Sequence, residues 1–344
     1  GDDEMETPVK MTNIKATQDI RSRDPKLSRR VEVHEYTENI RIRDPFIYAD
    51  SRIQAYYMYA QSANRDNSGF TGVEVYTSKD LIQWSAPQPV LTLPKNLGIS
   101  SVWAPEVHEY KGAFYLFTTL TFDRLLTKEK PVNHENWPDL LQRGTYIFRA
   151  NSPAGPFEAL RDSSHTPADW LALDGTFFVD DDIPYMVFCH EWIQLIDGTM
   201  DVIQLTDDLS DTVGNPELLF KASDAPGAQY CAHDGLGLIT DGCFLYRSPQ
   251  SNKLFMIWST ELPGSGYCTI LAESESGKIH GPWSKQDVIY KNDGGHGMLF
   301  ETFDGRLLLA LHQPNDRALR KERLHLFEVA DKGDTLSIVG EVKA

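Results

Sequence analysis

Arg43-Asp44-Pro45-Phe46-Ile47, leading into the run AYYMYA at residues 55–60 and then into 73–77, is the stretch that decides the fold. Its order of parts returns four times. Trp103-Ala104-Pro105-Glu106-Val107 leads to AFYLFT at 113–118 and to 145–149. Leu173-Asp174-Gly175-Thr176-Phe177 leads to YMVF at 185–188 and to 202–205. Thr240-Asp241-Gly242-Cys243-Phe244 leads to LFMIW at 254–258 and to 269–272. Gly295-His296-Gly297-Met298-Leu299 leads to 306–311 and 324–329, the least complete copy. The runs are rich in Tyr, Phe, Val, Ile and Thr and are separated by Gly, Asp, Asn and Pro, which is strand chemistry with turn chemistry between. Helical periodicity is hard to find. Unit starts at 44, 103, 174, 241 and 296 lie 59, 71, 67 and 55 residues apart by subtraction. A strand-rich unit of about four strands, repeated without helices, predicts an all-β protein, a five-bladed β-propeller with four-stranded antiparallel blades. The expected division is a lead-in over residues 1–30 and a single propeller over 31–344.

Composition agrees with that class. The chain has 344 residues, 41% hydrophobic and 24% charged, an ordinary globular balance. The 50 acidic against 33 basic residues give a formal net charge of −17, opposite to what a phosphate backbone would attract. A neutral ligand is the easier fit, and nucleic acid is not an expected partner. No apolar run is long enough to span a membrane. The opening GDDEMETPVK carries neither a basic n-region nor an apolar h-region, so no signal peptide is expected in it. Cys189, Cys231, Cys243 and Cys268 are widely and irregularly spaced and are read as buried free thiols.

Propeller blades present the start of the first strand to a central channel, so residues far apart in sequence converge there. Three of the five starts carry aspartate: Asp44, Asp174 and Asp241. Carboxyls crowded in a partly desolvated funnel have their pKa values pushed apart, which is what a general acid and general base need. Glycoside hydrolysis uses such a pair. Trp103, Trp192 and Trp258 would suit the apolar face of a sugar, although packing into a core is the commoner fate of any tryptophan. Two other acidic groups, Asp180-Asp181-Asp182 and Asp207-Asp208, fall between strand runs and read as solvated hairpin turns. Arg23-Asp24-Pro25 repeats the first tripeptide in a basic stretch and reads as surface lead-in.

The ordered set Arg43-Asp44-Pro45, Trp103-Ala104-Pro105-Glu106, Leu173-Asp174-Gly175, Thr240-Asp241-Gly242 and Gly295-His296-Gly297 resembles glycoside hydrolase family 43, from about residue 31 to 329. The resemblance implies an inverting hydrolase acting on α-L-arabinofuranosyl or β-D-xylosyl linkages of plant polysaccharides such as arabinan or xylan. It implies Asp44 as general base, Asp174 as the residue tuning and orienting the acid, and Asp241 as general acid. It also implies a channel-facing His296, which in many members holds a hydrated calcium; calcium prefers oxygen ligands, so the contact would run through water. No cofactor is implied for the chemistry. Trp103, Trp192 and His312 are the expected sugar contacts, with Arg317 a fainter one. An oligo- or polysaccharide is the expected partner, a monomer the expected state, and a secreted, periplasmic or cell-surface location follows from that substrate.

One position departs from the family pattern. Glu-Gly-Pro is usual at the fourth blade, where this chain has Asp241-Gly242-Cys243, a carboxyl on a stem about 1.5 Å shorter. Either the backbone moves in, or Glu191 or Glu261 serves as acid, or activity is weak; the unbroken continuation Phe244-Leu245-Tyr246-Arg247 favours the first. Two alternatives follow: a carbohydrate-binding propeller with impaired catalysis, and a retaining fructosidase-type propeller. The second places Asn-Asp-Pro at its first blade, where Arg43-Asp44-Pro45 stands here.

Overall fold

A computed structural model describes residues 9–15, 35–61 and 71–342. Arg23-Asp24-Pro25 and most of the expected lead-in lie outside the described residues. Five four-stranded antiparallel sheets follow one another along the chain, each with its strands in sequence order. Blade 1 runs from Phe46–Asp50 to Gln88–Leu93, and blade 2 from Ile99–Tyr110 to Glu158–Ala159. Blade 3 spans Ala172–Asp180 to Thr212–Lys221, blade 4 Asp241–Arg247 to Lys285–Tyr290, and blade 5 Gly295–Glu301 to Leu336–Glu341. The fifth copy therefore has all four strands.

Burial explains why these runs are strands. Ala55–Gln61, the second strand of blade 1, is buried along its whole length. Such strands have both faces covered by neighbouring blades, so they read as continuous apolar runs rather than as alternation. The outermost strand of blade 3, Thr212–Lys221, is mostly exposed, as a sheet edge facing water is. Apolar side chains fill each gap between blades. Phe117, Ile147, Met186 and Phe188 join blades 2 and 3, Val187, Met200, Trp258 and Trp283 join blades 3 and 4, and Phe255, Leu309 and Phe327 join blades 4 and 5. Trp258 is thus core, with Nε1 donating to Gln286 Oε1 at 3.0 Å.

Among the described residues blades 5 and 1 share no strand, and side chains and a connecting segment join them. Ile42 N–H donates to the Glu322 carbonyl at 3.2 Å. The Glu322 carboxylate, fully buried, accepts from Arg41 Nε at 2.6 Å and from Arg43 Nη1 at 3.2 Å. Tyr56 Oη accepts from Phe303 N–H at 3.0 Å.

Several expectations change in detail. Residues 120–127 and 140–143 lengthen the strands Ala113–Thr127 and Leu140–Ala150 into a long hairpin. Residues 190–200 contain a helical turn, Trp192–Leu195. Asp181 and Asp182 are turn residues, but Asp180 is buried and binds Arg247 Nη2 and the Ile279 N–H in blade 4. All four cysteines are free; Cys189, Cys243 and Cys268 are buried and Cys231 is half-buried. Among the described residues no helix is long and apolar enough to cross a membrane.

Candidate active site

The repeated motif has a backbone signature. Asp44, Ala104, Asp174, Gly242 and His296 have φ of 50°, 49°, 59°, 48° and 53°. Left-handed backbone is unfavourable for most residues, and its recurrence at one place in each blade marks a site held by its surroundings. In blades 2 to 5 it coincides with a register break in the first strand pair. A bulge there re-aims the side chain into the channel. The signature also shifts one assignment. In the fourth blade the left-handed residue is Gly242, so Asp241 stands one position ahead of the place that Asp44 and Asp174 occupy in theirs. Glycine is needed there for space as well: a Cβ on Gly242 would lie 2.7 Å from the His296 ring.

Each of four motif N–H groups is caught by a side chain. Asp44 donates to His312 Nδ1 (3.0 Å), Asp174 to Thr119 Oγ1 (2.9 Å), Gly242 to Asp174 Oδ2 (3.0 Å) and His296 to Ser259 Oγ (2.8 Å). A peptide N–H aimed at a partner fixes the neighbouring side chain without using that side chain's own polar atoms.

His296 is the hub. Its Nδ1 lies 2.9 Å from Asp44 Oδ1 and 3.8 Å from Asp174 Oδ2. Burial alone would lower its pKa, but Asp44, Asp174 and Asp241 together lift it to about 10, so it is an imidazolium. Burial likewise opposes ionisation of Asp44, yet His296, with lesser help from His312 and Arg43, holds that carboxyl well below the usual range. Burial and the charges of Asp44 and Glu106 raise Asp174 to about 6 against the pull of His296. Asp241 is pushed well above the usual carboxylate range by burial and by Asp174, although His296 and the Tyr267 hydroxyl favour its ionised form. That hydroxyl donates to Asp241 Oδ2 at 3.0 Å.

The remaining expected residues are placed as follows. His312 is fully buried, with Nδ1 accepting from Asp44 and Nε2 3.0 Å from Asn315 Oδ1. Burial holds it neutral, with a pKa near 4. Trp103 has the Arg143 guanidinium 4.4 Å and the Arg317 guanidinium 5.4 Å from its ring centre. Arg143 also pairs with buried Glu191, which commits that carboxylate elsewhere. Trp192 packs edge-on against Trp137 at 5.3 Å, and a Cβ on Gly237 would lie 2.5 Å from its ring. Tyr267 and Arg143 had no local signal in the sequence, since each is distant from the motif it serves. With Asp44 on Nδ1, His296 offers a cation no lone pair at that nitrogen, so a calcium contact there would run through water.

The sequence profile described as glycosyl hydrolases family 43 matches residues 38–333. Among solved structures, an endo-arabinase from Bacteroides thetaiotaomicron is similar at 34% identity, over 86% of this chain and 97% of that one, with a TM-score of 0.73. A thermostable family-43 glycoside hydrolase is 22% identical over 90% of this chain and 97% of its own, at TM-score 0.70. An endo-1,4-beta-xylanase from the same Bacteroides species is 21% identical over 91% of this chain and 100% of its own, at 0.67. At those lower identities the likeness shows the fold alone. Comparison with curated proteins gives no match.

Proposed function

This chain belongs to glycosyl hydrolases family 43 and hydrolyses glycosidic bonds, and from that premise we propose that it acts with inversion on α-L-arabinofuranosyl linkages of arabinan-type polysaccharide. The observation that carries the mechanism is the opposite treatment of two aspartates around one imidazolium. Asp44, bound to His296, stays ionised and is assigned as the base. Asp241, away from that contact, keeps its proton and is assigned as the acid. Asp174 receives the Gly242 N–H and adds the negative charge that raises Asp241, which makes it the tuning residue. An inverting enzyme needs an anion that takes a proton late from attacking water on one face and a neutral acid on the other. His312, buried beneath Asp44, is assigned to holding that residue rather than to touching sugar.

Arabinan is favoured over xylan because an endo-arabinase is similar at 34% identity, against 21% for the endo-1,4-beta-xylanase. Action on a polysaccharide supports a secreted, periplasmic or cell-surface site, and one catalytic propeller over 31–344 with a monomeric state is the simplest organisation. A panel of linear arabinan, xylan and aryl pentosides tests the reading, with anomer-resolved NMR of the first product. Arabinan turnover with inversion is expected. Xylan turnover alone would overturn the sugar, and retention would overturn the roles.

A further inference from the structure

Outside the funnel, two histidines and an aspartate meet at the junction of two surface segments. His134 lies in the tip of the blade 2 hairpin, between the strands Ala113–Thr127 and Leu140–Ala150. His233 and Asp234 lie in the turn Ala232–Gly235, on the connection from blade 3 to blade 4. One donor atom from each comes within 4.8 Å of the others. His134 Nε2 stands 3.9 Å from Asp234 Oδ2, too far for a hydrogen bond. Among the described residues, His233 Nε2 is buried with no hydrogen-bond partner. A buried imidazole nitrogen left without a partner is unusual enough to require an explanation.

The geometry points to a site for a divalent transition ion, Zn²⁺ in the first place, held by His134, His233 and Asp234 with water completing the shell. Two imidazoles and one carboxylate are the borderline donor set that suits zinc, cobalt, nickel or copper, whereas calcium takes six or more oxygens. Zinc–ligand bonds of about 2.0–2.2 Å put tetrahedral donors roughly 3.3–3.6 Å apart, so the three groups close by about 1 Å on binding. The surroundings limit that closure to the turn and the hairpin tip. Trp137 packs 5.5 Å from the His233 ring, and its Nε1 donates to the Ile193 carbonyl at 2.8 Å, which fixes the floor. His134 Nδ1 accepts only a long 3.3 Å bond from Asn136 N–H. Metal binding at Nε2 moves the ring proton to Nδ1 and gives up that bond. The bound ion would tie the blade 2 hairpin to the blade 3–4 connection, beside Trp192, which itself packs 6.1 Å from His233.

Tag-free protein, stripped with chelator, is titrated with Zn²⁺ by calorimetry and with Co²⁺ by visible absorption. One equivalent is expected, with a ligand-field band that Zn²⁺ abolishes and an excess of Ca²⁺ does not. His134→Ala and His233→Ala should each weaken binding at least about tenfold, the lower end of what even supporting residues of metal sites are worth. Both variants should keep wild-type glycosidase activity in chelator, which certifies their fold. Absence of stoichiometric binding by the wild type overturns the site, and so does unchanged binding by the double variant.

Discussion

Asp44 and Asp241 are the same residue type facing the same channel, yet their environments drive them apart. Asp44 sits at the seam between blades 5 and 1, which is rich in positive charge: His296 at 2.9 Å, Arg43 beside it, and Glu322 holding both Arg41 and Arg43. Asp241 sits in blade 4 with a neutral hydroxyl at 3.0 Å and the charge of Asp174 nearby. Burial penalises both as anions; only Asp44 has cations close enough to outweigh it. Proton affinity in this funnel is therefore set by which blade an aspartate opens and not by its chemistry.

The largest effect should come from removing the anion on the cationic side. Asp44→Asn should lower kcat/KM by up to about 10⁴-fold on every substrate, whatever its leaving group, since the water still needs its base. A loss confined to poor leaving groups would exchange the two roles. The seam itself is tested next. Glu322→Ala leaves two arginines without their buried partner and should destabilise the fold by about 3–5 kcal/mol in denaturant titration. An unchanged midpoint would mean that the seam is closed by packing alone. On the neutral side, Asp241→Asn should cost about 10²–10³-fold on arabino-oligosaccharides and little on aryl glycosides with a good leaving group, which departs without protonation. Equal turnover on both would send the acid's role to another residue.

His296→Gln removes the charge that distinguishes the two sides. Asp44 and Asp241 both lose a cation, so both limbs of the pH profile of kcat/KM should move to higher pH. Stability follows with signs that can be stated. Asp44 has a lowered pKa, so its contribution is present above about 4 and is lost as pH falls. His296 has a raised pKa, so its contribution is complete below 6.5 and disappears as pH rises through about 10. The difference in Tm between wild type and variant should thus be widest between pH 4 and 6.5. A difference that stays flat with pH would separate His296 from the carboxylates. The smallest change is Tyr267→Phe. Losing the donor to Asp241 should cost about 1 kcal/mol and move only the basic limb upward. Movement of the acidic limb would place Tyr267 on the base instead.

Much of this was legible in order along the chain. Residues 55–60 and 254–258 read as strands because burial on both faces requires unbroken apolar runs, and the motifs before them marked the channel. The offset of Asp241 was not legible. Asp44, Asp174 and Asp241 each open a unit, and only the left-handed backbone at Gly242 shows that the fourth is displaced by one residue. The partners of these residues were hidden for a different reason. Glu322 lies 281 residues from Arg41, and His312 lies 268 from Asp44. Pairs so distant leave no pattern in a local reading.

The sequence by itself determined the five repeats, the all-β class and the three channel aspartates, because strand period and motif order are local properties of a chain. Tertiary structure alone decided what those aspartates are. Proton affinity depends on burial and on charges within a few ångströms, and ring closure brings Arg43, His296 and His312 to Asp44 while it leaves Asp241 beside Tyr267. Asp241, one methylene shorter than the family's usual glutamate, lies where burial and Asp174 push its pKa well above the usual carboxylate range.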